Sequence, residues 1–186
     1  MTTTTAPPVL RIGAVPPAEL RRIRSEQHDD HGNELIGLLD DAGGAPLRCC
    51  LRDSRSGERI ALIAYSPFCR PGPYAEVGPI FIHAQECDGY RDQDRYPDAF
   101  RTRAQVLRAY RADGTITGGT VLQRGDSPEQ VAAELFADPE VELLHARNVV
   151  HGCFMFEIRQ PGRTRSPSGR RSTNRSATRE ANARAR

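Results

Sequence analysis

Apolar residues along this chain fall mostly in short runs, and long helical stripes are scarce. Residues 9–12, carrying Val9, Leu10 and Ile12, predict a first strand. Pro16 and Pro17 then open a helix in which Leu20 and Ile23 recur at helical spacing, with a polar stretch behind them through His31. Leu35 to Leu39 is a short apolar stretch closed by Asp40-Asp41-Ala42-Gly43-Gly44, which is loop chemistry. Residues 48–52, 59–66, 78–84, 104–112 and 115–122 read as strands, and Asp113-Gly114 between the last two is a hairpin turn signal. A second helix follows, with Ser127 as its cap, Pro128 at its first position and Gln130 at capping-box spacing. Val131, Leu135 and Phe136 supply its buried face, and Asp138-Pro139 ends it. Strands over 141–147 and 151–159 close the pattern. Many strands, few helices and short connections predict an α+β fold, a mostly antiparallel sheet with one or two helices packed on it. The expected organisation is a flexible N-terminus over 1–8, a single domain over 9–160 and a disordered tail over 161–186.

Charge sharpens that division. All 26 basic residues are arginine. Residues 161–186 hold eight arginines against one acid, a net +7, while residues 1–160 hold 18 arginines against 23 acids, a net −5. The tail has no aliphatic residue larger than alanine, so it cannot offset its ordering entropy by burial. It can make a weak, salt-sensitive contact with nucleic acid or an anionic surface, but it has no interleaved aromatic for base stacking. The missing lysine removes Schiff-base, pyridoxal phosphate and phosphate-loop chemistry. No apolar run approaches the roughly 18–20 residues of a membrane span. The Thr- and Pro-rich start resembles no signal or transit peptide, so a cytoplasmic location is expected. Five cysteines, an odd number, point to free thiols in a reducing compartment.

The candidate chemistry lies in two apolar segments that carry both histidine and cysteine. One ends in His83, with Cys87 four residues on; the other holds His145, His151 and Cys153. The second has more weight, because His145, Arg147, His151 and Cys153 come from consecutive predicted strands and can meet across one hairpin near the C-terminal edge of the sheet. Catalytic candidates are Cys153, His145, His151 and Cys50, since a thiol beside an imidazole or guanidinium can be activated as a nucleophile. No metal set is assigned; the weak candidates are His83, Cys87, His151 and Cys153. Cys49 and Cys50 are adjacent, and neighbours in a strand point to opposite faces, so at most one would face any site. His28-Asp29-Asp30-His31 has a metal-like spacing but reads as an ordinary polar stretch. Arg101, Arg103, Arg108, Tyr110 and Arg147 lie on or beside predicted strands, and Arg108 and Tyr110 share a face. A partly buried arginine there calls for a carboxylate or a phosphate.

Several stretches together resemble a bacterial family of unknown function, DUF1203. They are Pro46-Leu47-Arg48-Cys49-Cys50-Leu51-Arg52 before Gly57-Glu58, Pro73-Tyr74, Gly78-Pro79-Ile80-Phe81-Ile82, the segment 101–110, Arg147-Asn148-Val149 and Gly152-Cys153-Phe154. The resemblance runs across most of residues 46–159 and implies a fold without an activity. It also implies that a cysteine before Leu51 and Cys153 are shared features.

The leading expectation is a cytoplasmic domain that binds a small anionic ligand or a protein partner through Arg108, Tyr110, Arg147 and His145. The alternatives are a thiol- and histidine-dependent enzyme or a redox or metal sensor, and an interaction module tethered by its basic tail.

Overall fold

The computed structural model describes residues 9–68 and 72–162. The expectations for residues 1–8 and for almost all of the tail, with Cys69, lie outside the described residues. In chain order the elements are β1 (Arg11–Gly13), α1 (Pro17–Glu26), β2 (Gly37–Asp40), β3 (Pro46–Leu47), β4 (Arg52–Asp53), β5 (Glu58–Tyr65) and β6 (Gly78–His83). Then come α2 (Asp98–Arg101), β7 (Gln105–Tyr110), β8 (Ile116–Leu122), α3 (Pro128–Phe136), β9 (Leu143–Asn148) and β10 (Phe154–Arg159).

These strands form two five-stranded sheets, where the sequence suggested one. The first has the order β1-β10-β9-β7-β8 and is antiparallel throughout. The second has the order β2-β5-β6-β3-β4, and its β3–β6 pairing is parallel. Neither the second sheet nor the parallel pair is visible in local periodicity, because β3 has two residues and its partner lies more than thirty positions on. Three short helices accompany the sheets.

Period-two alternation gives the first sheet two faces of different character. Ile12, Leu107, Ala109, Leu144, Ala146, Phe156 and Ile158 bury one face, with Phe136 and Ala132 of α3, Phe100 of α2 and Tyr96 packed on it. Ser127 caps α3 by accepting from the Gln130 N–H at 3.4 Å, as its sequence indicates; Val131 and Leu135 are only partly buried beside Ala132 and Phe136. The opposite face carries Arg108, Tyr110, His145, Arg147 and Glu157. The register proves it: Arg108 and Glu157 flank His145, and Tyr110 is level with Leu143. β9 and β10 are interior strands, so this set does not sit at a sheet edge. β10 begins only at Phe154, which leaves His151 and Cys153 in the turn between β9 and β10.

A second core gathers Ile60, Ala61, Ile63, Tyr65, Ile80 and Ile82 of the second sheet with Leu20 and Ile23 of α1 and with Phe154 of β10. Phe154 thus ties the two sheets, its ring 5.6 Å from that of Tyr65. Arg48 makes the second tie. Its buried guanidinium donates from Nε to the Phe154 carbonyl at 2.8 Å and from Nη1 to the Pro46 carbonyl.

The β7–β8 ladder supplies a direct test of the register. A Cβ on Gly119 would lie 2.6 Å from the Leu107 carbonyl oxygen, whereas one on Gly118 meets nothing within 4 Å. Gly119→Ala is therefore expected to destabilise the fold by about 1–3 kcal/mol through overpacking. Gly118→Ala should stay within about 0.5 kcal/mol, as surface substitutions do. Paired thermal melts of the two variants check this.

Candidate functional site

The parallel pairing of β3 with β6 builds the site. Leu47 is level with Phe81, and the Arg48 N–H donates to the Phe81 carbonyl at 2.9 Å. The two chains run on side by side, which brings Cys49 level with His83, and the His83 N–H meets Cys49 Sγ at 3.3 Å. Residues 48–51 form a turn and not the strand expected from the sequence. The Leu51 N–H closes it on the Leu47 carbonyl at 3.0 Å, and Leu51 has φ 55°. This left-handed conformation costs a leucine roughly 1–2 kcal/mol. Burial of its side chain in the first core offsets that cost. The expectation that only one of Cys49 and Cys50 can face a site fails here, because it holds for strands and not for turns.

Both cysteines therefore face the end of β6, and the chain beyond it returns Cys87 to the same place. Cys49, Cys50, His83 and Cys87 present Sγ, Sγ, an imidazole nitrogen and Sγ within 4.8 Å of one another. Cys49 Sγ lies 3.9 Å from Cys50 Sγ and 3.3 Å from His83 Nδ1, and Cys50 Sγ lies 3.8 Å from the same nitrogen. A tetrahedral zinc with bonds of about 2.3 Å to sulfur and about 2.0–2.1 Å to nitrogen needs edges of about 3.8 Å (S···S) and about 3.6 Å (S···N). The three edges among Cys49, Cys50 and His83 straddle those values, and Cys87 Sγ lies within 4.8 Å of the other three atoms.

The far side of the His83 ring is held by charge. Arg52 clamps Glu58 through both Nη atoms, at 2.9 and 2.7 Å, and the Arg55 N–H adds a third bond at 2.9 Å. His83 Nε2 faces this pair, 3.1 Å from Arg52 Nη2 and 3.4 Å from Glu58 Oε2. As the ring stands, Nε2 accepts from Arg52; were Nδ1 to bind metal, Nε2 would carry the proton and Glu58 would be the carboxylate beside it able to accept. Arg52 holds the Glu58 carboxyl down at about 2. Among the thiols, hydrogen bonds from Cys49 and Cys50 pull Cys87 far below the ordinary thiol range, while the same sharing with Cys49 and Cys87 pushes Cys50 up. Cys50, His83 and Cys87 also line a cavity of about 510 Å³, with Tyr90 and Tyr96 on its walls.

The other sequence candidates divide between this centre and separate places. His151 and Cys153 do not belong to it: His151 is exposed, and Cys153 Sγ contacts the His151 carbonyl within their own turn. Arg101 pairs with Glu129, and Arg103 with Asp53, away from Arg108. Asp29 is structural, accepting from the His31, Asn33 and Ala64 N–H groups, so His28 to His31 is a folded loop. Arg108, Tyr110, His145 and Arg147 lie together on the polar face of the first sheet. There Arg147 bonds to Glu76 and to the Gly152 carbonyl, and Arg108 stands 3.7 Å from the same Glu76. The Cys49–Cys50 pair as a unit and Glu76 are what sequence reasoning missed. Spacing carries no signal for either, because both depend on pairings distant along the chain.

One family profile, described as a protein of unknown function (DUF1203), matches residues 44–160. The chain belongs to the DUF1203 family. That match begins just before β3 and ends just after β10, so the Cys/His cluster and the polar sheet face both fall inside the DUF1203 region. No curated protein and no solved structure matches the chain. No helix among the described residues is long and apolar enough to cross a membrane.

The depressed Glu58 carboxyl has a consequence with a definite sign. A folded value near 2 against an ordinary value of about 4.3 makes the stabilisation complete above about pH 4.3. It is lost as the pH falls from there toward 2. Wild-type Tm should therefore fall more steeply than that of Glu58→Gln across this window. Parallel curves in thermal melts at stepped pH would show that Glu58 is not the group responsible.

Proposed function

We propose that this DUF1203 chain is a metal-binding protein whose Cys49, Cys50, His83 and Cys87 hold one zinc ion. The carrying observation is the convergence of three thiol sulfurs and one imidazole nitrogen within 4.8 Å of one another, with Glu58 and Arg52 beside the imidazole. Thiolate and imidazole donors favour zinc over hard cations. All four positions come from the protein, which is the closed set of structural zinc and leaves no place for a substrate. The ion would staple the 48–51 turn to the end of β6 and to the connection that carries the chain from β6 to α2. Its role on this reading is to hold the junction of the two sheets.

Native mass spectrometry with elemental analysis of protein purified without chelator tests this. One zinc per chain is expected, lost in Cys50→Ser and in His83→Ala. Affinity should fall on acidification, because the thiols must shed protons to bind. A strong chelator should lower the Tm of wild type and leave both variants unmoved. Reduced wild-type protein that takes up no zinc when zinc is supplied would overturn the reading.

A second reading has its own observation: the polar sheet face binds a small anionic ligand through Arg108, Tyr110, His145 and Arg147. Two guanidinium groups meet one carboxylate there, an excess of positive charge beside largely buried strands.

A further inference from the structure

The polar face of the first sheet holds two arginine arrangements with opposite charge balance. Arg159 is met by two carboxylates, Glu157 at 2.7 Å and Glu142 at 3.2 Å. At the other end Arg108 and Arg147 share one, Glu76, each guanidinium facing a different oxygen. The side chain of Arg147 is 7% exposed, while those of Arg108 and Glu76 are each 32% exposed. The cluster therefore runs from solvent inward. At its inner end Arg147 Nε is buried and has no hydrogen-bond partner among the described residues, and the buried Tyr110 hydroxyl lies against Arg108. Buried donors normally find a partner. Aromatic rings wall the place: Phe68 lies 4.7 Å from both Tyr110 and His145, and Phe154 lies 5.0 Å from His145.

Glu76 does not sit on a strand. It precedes β6 in an irregular stretch whose neighbours Tyr74 and Val77 are exposed, and the Ala75 N–H donates to the Gly72 carbonyl at its start. It meets an outer nitrogen of each guanidinium, and Arg147 Nε is left without a partner among the described residues.

Resting on the anionic-ligand reading above, we propose that Glu76 is the built-in occupant of a small-carboxylate site and competes with the external ligand. A free carboxylate takes the position of the Glu76 head, with one oxygen toward each arginine, and is free to move inward to Arg147 Nε. The planar two-oxygen head fits two guanidinium groups that already face two oxygens. A side chain tethered beside the site acts at an effective concentration of the order of millimolar, so its removal unmasks affinity for the free ligand.

The test uses the full chain as wild type, Glu76→Ala, Glu76→Gln and Glu76→Ala/Arg147→Met. Each is titrated at constant ionic strength with acetate, succinate and inorganic phosphate, and binding is read by NMR shifts and by the rise in Tm. Glu76→Ala should bind succinate or acetate at least tenfold more tightly than wild type, phosphate more weakly, and Arg147→Met should abolish binding. Glu76→Gln, which keeps the shape and a hydrogen-bond acceptor, should fall between the two and serves if Glu76→Ala does not fold. Equal Arg147-dependent affinity in wild type and the Glu76 variants would overturn the competitor and leave the anion site standing. Absence of binding in every folded variant would remove both. Preference for phosphate would overturn the ligand class, and binding that survives Arg147→Met would overturn the location.

Discussion

The fold turns on one buried cation. Burying a guanidinium without a carboxylate costs several kcal/mol. Arg48, 3% exposed, lowers that cost by donating to the carbonyls of Phe154 and Pro46. Burial drags its pKa down to about 10, so it still carries its charge at neutral pH. Its backbone is equally committed: the N–H goes to Phe81, and the carbonyl accepts from Val15 at 3.0 Å. One residue therefore joins β3, β6, β10 and the link between β1 and α1. With Arg48 held on all sides, the next residues have only a turn to follow. That turn aims both cysteines at His83.

Phe154 is the point where this junction meets the rest of the molecule. Its carbonyl takes the Arg48 proton, and its ring lies against Tyr65 on one sheet and His145 on the other. The Cys/His centre and the arginine face are thus neighbours through one residue, although they lie on different sheets. Packed cores shift as units and resist gradual deformation. A change that moves β10 at Phe154 therefore bears on both places, through the Arg48 bond on one side and the His145 ring on the other.

Local pattern made much of this legible. Strands β5 to β8, the Asp113-Gly114 hairpin and the capped helix α3 each carry their signal within about ten residues of sequence. The alternation that puts Arg108 with Tyr110, and His145 with Arg147, on one face is also local, and the antiparallel register then sets the two pairs side by side. What stayed hidden depends on residues far apart in the chain. The parallel β3–β6 pair rests on a two-residue strand with no periodicity to read. The left-handed conformation at Leu51 has no glycine to announce it. Cys49 and Cys50 looked mutually exclusive because the segment was read as extended; that one wrong local assumption kept both out of a metal set that already held His83 and Cys87. Glu76 sits in a polar loop and stands out only once Arg147 is known to face it.

The cavity beside the Cys/His centre invites a catalytic interpretation, and the charge on its walls argues for a structural one. Arg91 is paired with Asp88 at 3.1 Å and Arg95 with Asp98 at 2.9 Å, while Arg52 is spent on Glu58. A reacting substrate needs uncommitted donors aimed at the charge that develops on it. These side chains are aimed at one another. The cavity lies along residues 87–92, in the connection that crosses from one sheet toward the other, and that connection is fastened mainly at its ends. The Ile12 N–H holds the Gln93 carbonyl at 2.6 Å, and Tyr96 packs edge-on against Phe156. At the near end the fastening is Cys87 itself. Without a metal that fastening is a set of thiol hydrogen bonds, whose sulfur atoms are weak donors and acceptors; a bound metal would replace them with thiolate coordination. On the zinc reading proposed above, the chemistry of the site suits a staple for the crossing segment.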